Sequence, residues 1–173
     1  MNTLWLTRIA GVVTATASIV LGSAAIAGAS PDMAQNGIAA VRAATAAYHD
    51  ISNVPDSYQD SGLPCMQTAA GGMGIHLLDV SALSNPSESA THPEALVYAE
   101  TRSGPELVAV EYIVPASAVP DPQHPPVVLG HKLTEEIVPG AGDLYVLHAW
   151  IWRHNPAGMF QDWNPALDSC RTS

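Results

Sequence analysis

Only one stretch of this chain carries a long helical repeat, and that limits the folds open to it more than any other feature. Ile38, Val41, Thr45 and Tyr48 recur at helical spacing in an Ala-rich surround. Ser30-Pro31-Asp32 supplies the capping oxygen, first-turn proline and early acid of a helix start. Pro55 ends regular helix at or before Val54. The many alanines are read as the surface that approaches a sheet. Beyond Pro55, glycines and prolines cut the chain into short pieces. Parallel strands need a crossover each, usually a helix, so a doubly wound fold is disfavoured.

The pieces read as strands. The pattern predicts them over Ile75–Val80, Glu94–Glu100, Leu107–Val114, Val127–Leu129, Leu133–Val138 and Leu144–Trp152. Thr101-Arg102-Ser103-Gly104-Pro105 is a link of hairpin length. Gly71-Gly72-Met73-Gly74 lacks the phosphate-binding pattern G-x-x-x-x-G-K-S/T and reads as a loop that lets backbone pass close to the sheet. The fold class is α+β: a mainly antiparallel β-sheet of four to six strands, packed by an N-terminal helix and closed on its other face by long ordered loops. A small β-barrel-like roll is the alternative.

Residues 1–29 read as an export signal. One cation, Arg8, precedes an apolar or small run from Ile9 to Ile26, and Ala27-Gly28-Ala29 offers a cleavage pattern. Eighteen residues could also span a membrane, but they are weakly hydrophobic and no basic cluster follows. The expectation is a secreted or periplasmic protein, with residues 30–173 as one domain and no stable membrane insertion after cleavage. That domain holds all sixteen acidic residues against Arg42, Arg102, Lys132, Arg153 and Arg171. A field of that sign repels phosphate backbones, which excludes nucleic acid as a natural partner. The two cysteines, Cys65 and Cys170, are expected to pair outside the cytosol and so tie the loop after the helix to the C-terminus.

Strand alternation exposes three polar misfits. In Leu107–Val114 one face carries Leu107, Ala109, Glu111 and Ile113, so Glu111 sits on an apolar face. His148 shares a face with Val146, Trp150 and Trp152, and His76 lies between Ile75 and Leu77. A buried carboxylate needs a cation, a metal or several donors. Two imidazoles and a carboxylate suit zinc, iron or copper with positions left open; His76, Glu111 and His148 are the candidate metal ligands. The same three are the candidate catalytic residues of a metal-free acid–base pocket. A third reading is a satisfied polar core without activity.

Other candidates concern a small-molecule ligand. Trp150 and Trp152 could wall a slot for an apolar molecule, and His92, before Pro93-Glu94, could reach its rim. Met66, Met73 and Met159 could offer thioether to copper or simply fill core. His49, His124, His131 and His154 sit near turns or solvated ends.

Several motifs together resemble a family of small exported bacterial proteins of uncharacterised function. They are Gly71-Gly72-Met73-Gly74-Ile75-His76, His92-Pro93-Glu94-Ala95-Leu96-Val97-Tyr98, Val110-Glu111-Tyr112-Ile113-Val114-Pro115, and His148 to Phe160 continuing through Trp163-Asn164-Pro165 to Cys170. The resemblance spans about Ala43 to Cys170 and implies export; it carries no activity across. The chain departs from that pattern at Val54-Pro55, where relatives of this kind continue an Ala-rich helix to a Gly-Tyr turn.

Overall fold

The computed structural model describes residues 31–168 except 64, 65, 85, 87, 88 and 139, with side chains from 37 onward. The expected export signal lies outside the described residues. Helix α1 (Pro31–Thr45) gives way to two short 3-10 turns, Ala46–His49 and Ile51–Asn53. Nine strands follow among the described residues. Strands β1 (Tyr58–Asp60), β2 (Met66–Thr68) and β3 (Gly71–Asp79) precede a short helix α2 (Val80–Ser84). After it come β4 (Ala95–Thr101), β5 (Gly104–Pro115), β6 (Val127–Val128), β7 (His131–Lys132), β8 (Thr134–Val138) and β9 (Gly142–Ala149).

Seven of these form one sheet, ordered β1-β3-β4-β5-β9-β8, with β2 also paired to β3. Every pairing is antiparallel. The fold class expected from the sequence therefore holds, with more strands than four to six. The sheet is an open one, edged by β8 on one side and by β1 and β2 on the other, and not a closed barrel. β6 and β7 make a separate hairpin.

Helix α1 buries Ile38, Val41 and Thr45, the residues that set its period. Ile38 and Val41 join Leu96, Tyr98, Val110, Tyr112, Tyr145 and Leu147 in the main core. The alanines do not approach the sheet as expected: Ala39, Ala40, Ala43 and Ala44 are exposed. The β-branched and larger side chains bury more apolar area per residue, so they take the inner stripe.

β4 and β5 pair with a bulge. Val97 lies opposite Ala109, but Tyr98 lies opposite Leu107, leaving Val108 as the extra residue. Strict alternation would put Val108 with Val110 and Leu107 with Ala109. The bulge reverses this: Leu107 joins the helix-side core, while Val108 and Ala109 both join a cluster on the opposite face.

That opposite face is partly covered by the C-terminal segment. Gly72 and Asn164 exchange backbone hydrogen bonds at 3.2 and 3.0 Å, and a Cβ on Gly71 would collide with the Asn164 carbonyl. The glycines thus belong to β3 itself, and the missing side chains admit the neighbouring backbone. Inside the segment two buried asparagines do the bracing. Asn155 donates to the Trp163 carbonyl and accepts from the Ala157 N–H; Asn164 donates to the His154 carbonyl and accepts from the Ala166 N–H. The structure does not support the expected Cys65–Cys170 disulfide. Both cysteines lie outside the described residues; among those described, this segment is tied to the sheet by the Gly72–Asn164 pairing, by the Gly72 N–H donating to the Leu167 carbonyl and by the Arg153 N–H donating to the Val108 carbonyl.

Candidate functional site

The site lies on the sheet face away from α1. Glu111 on β5 stands directly opposite His148 on β9, and on its other side opposite Ala95 of β4. His76 on β3 stands opposite Val97 of β4. The fully buried Ala95 and Ala109 on this face are small enough for His76 to lean across β4. Three strands far apart in sequence thus deliver three polar side chains to one place; alternation had singled each out and left their convergence open.

Their distances are short. His76 Nε2 lies 3.1 Å from His148 Nε2 and 3.5 Å from Glu111 Oε2. His148 Nδ1 lies 3.4 Å from Glu111 Oε1, but without the alignment of a hydrogen bond. All three residues are buried, His148 completely. The Trp150 indole lies parallel to the His148 ring, with centroids 5.8 Å apart, and helps to fix it.

Burial governs the charge state. It holds His76 down to about 4 and His148 well below the usual imidazole range, the latter helped by His76 beside it. Burial, then the negative field of Glu136, Asp162 and Glu94, pushes Glu111 up to about 8. At neutral pH and without an ion, contacts of ion-pair length are therefore contacts between uncharged groups.

His76 and Glu111 form part of the wall of a pocket of about 530 Å³, well within the range of small-molecule sites. Most of its wall is apolar, with Met66, Met73, Leu78, Leu83, Ile113 and Leu144 among the contributors. No family model, curated protein or solved structure matches this chain. The site's chemistry has to be read from its own atoms.

Three donor atoms, one from each residue, lie within 4.8 Å of one another. A tetrahedral ion with bonds of about 2.1 Å has edges of about 3.4 Å between ligand atoms. The 3.1 and 3.5 Å separations around His76 match that scale. Both imidazoles are held neutral, which is the form that ligates.

The remaining candidates lie elsewhere. Trp150 is buried against Val97, Val108 and Leu167 on the site side, its Nε1–H donating to the Gln161 carbonyl at 2.6 Å. Trp152 packs on the helix side and donates to Thr45 Oγ1 at 3.1 Å. Strand β9 ends at Ala149, so alternation no longer governs the two indoles; their rings pack in different clusters, while both residues border the cleft beside Arg42. His92 is exposed on a turn, its Nδ1 near Thr91 Oγ1 and Ser89 Oγ, and does not line the pocket. Met66 and Met73 line the pocket, whereas Met159 borders a separate cleft beside Arg42.

Two buried or half-buried acids escaped the sequence reading. Glu94 is buried and its Oε2 accepts from the Ile113 N–H at 3.1 Å. Glu136 on β8 lies opposite Leu144 and lines the pocket. Its alternation with Val138, which lines the same wall, was the signal that could have placed it.

Proposed function

We propose that this is an exported protein that binds one transition-metal ion through His76, His148 and Glu111, with the ion's open positions facing the apolar pocket. The observation that carries the reading is the convergence of one imidazole nitrogen from each histidine and a carboxylate oxygen within 4.8 Å of one another, on a largely apolar sheet face. The donor set is one used by zinc and by iron(II). Copper fits less well, because Met159 lies in a different cleft from Met66 and Met73. A small molecule in the pocket would meet the ion past His76 and Glu111. The leader and the acidic surface support export, as does the resemblance to small exported proteins.

Protein purified without a histidine tag and dialysed against zinc should hold one ion per chain by elemental analysis. Cobalt(II) in its place should give the visible bands of a low-coordinate nitrogen–oxygen site. Glu111→Gln, which keeps the shape of the side chain, should lower zinc affinity by about 100-fold, in line with loss of a charged ligand. A folded wild-type protein that takes up no stoichiometric ion would sink the reading.

A further inference from the structure

The pocket also constrains the charge of what lies in it. Among the described residues, no Lys or Arg contributes to its lining. Apart from His76, the described ionisable residues that border it are Glu111, Glu136 and Asp143. Glu136 is half-buried on an apolar wall between Leu144 and Val138, and its carboxyl makes no hydrogen bond or ion pair among the described residues. The charge that acts on it is acidic too, that of Asp162. A carboxylate in such a place, facing other carboxylates and no cation, is poorly matched until a positive group joins it. Away from the ion proposed at His76, Glu111 and His148, an anionic ligand would meet no counter-charge among the described residues.

We infer that the pocket takes an apolar small molecule carrying a cationic nitrogen, its ammonium set against Glu136 and its hydrocarbon part against the Met66, Met73, Leu78 and Ile113 wall. The inference goes beyond the ion, since the walls and Glu136 are the same without it. Three probes with one hydrocarbon body separate the possibilities: octylamine, 1-octanol and octanoate, titrated by calorimetry into the full domain in the presence of a chelator.

Octylamine should bind tightest and octanoate weakest, the two differing by about ten-fold or more, as expected for a partly desolvated charge pair against a like-charge contact. In Glu136→Gln, with an unchanged circular dichroism spectrum, octylamine should weaken by about ten-fold towards the affinity of octanol. Octanol itself should bind as before. Octanoate equal to octylamine, an order of affinities unaltered in Glu136→Gln, or no binding by any probe would overturn the inference. Because these titrations contain no metal, their failure leaves ion binding standing, and failed ion binding leaves the amine preference standing.

Discussion

The two faces of the sheet are built from alternate residues of the same strands, yet they serve different ends. On the helix side, Ile38 and Val41 close over Leu96, Tyr98, Val110, Tyr112 and Leu147 in one continuous core. Its polar atoms are answered: Tyr98 donates to the Tyr48 carbonyl, Tyr112 to that of Ala90 and Tyr58 to that of Pro93. On the other side the apolar residues fall into two smaller clusters, one around Trp150 and Val108, the other around Ile113 and Val146. His76, Glu111 and His148 lie on the same face as both. The first face stabilises the fold, and the second can then hold groups that burial disfavours.

That contrast can be broken from either side. The largest effect should come from Leu96→Ala, on the helix side and fully buried. It should cost about 3 kcal/mol in urea unfolding, the usual range for a large-to-small change in a core. Zinc stoichiometry of the molecules that remain folded should not change. A fall in stoichiometry would mean that the two faces are not separable.

The next effect is one of pH, in the metal-free protein. Glu111 keeps its proton in the fold up to about 8, while in the unfolded chain it loses it near 4.5. Stability therefore falls as pH rises through that window. His76, held down to about 4, and His148 act oppositely. Their unfolded forms gain protons below about 6.5, so stability falls as pH drops from there. Stability should peak near neutrality, between roughly pH 6 and 7, and decline by a few kcal/mol on either side. In Glu111→Gln the decline above the peak should shrink, although Glu136 and Asp162, both raised by burial, retain a part of it. An unaltered alkaline limb would show that Glu111 is ionised in the fold.

Tyr112→Phe sharpens the comparison at smaller scale. It removes one hydroxyl bonded to the Ala90 carbonyl at 2.8 Å and should cost about 1 kcal/mol with ion binding intact. The smallest effect belongs to His92→Ala. An exposed turn residue outside the pocket should change stability by less than about 0.5 kcal/mol and leave zinc affinity as it is. A weaker site in this variant would bring the His92 turn into the function after all.

How much of this could be read in the sequence depends on the range of the contact. Alternation within a single strand is local, so Glu111, His148 and His76 stood out against their apolar neighbours before any pairing was known. The N-terminal helix and the antiparallel sheet followed in the same way, whereas the short α2 did not. The Val108 bulge did not, because it is a property of two strands in register and leaves no mark on either one alone. The two tryptophans were placed on one face by extending alternation past Ala149, where strand pairing stops. The glycines before His76 looked like a loop because their partner, Asn164, is about ninety residues away. The disulfide followed from compartment and cysteine count, signals that say nothing about which contacts tie the C-terminal segment to the sheet.

The wiring of the site has a consequence for assembly. Its three members arrive on β3, β5 and β9, and the strand nearest the first, β4, carries none of them. No hairpin of this chain contains two of the three. A single hairpin therefore offers an ion at most one of the three donors, and the full set reports that the last strand has docked.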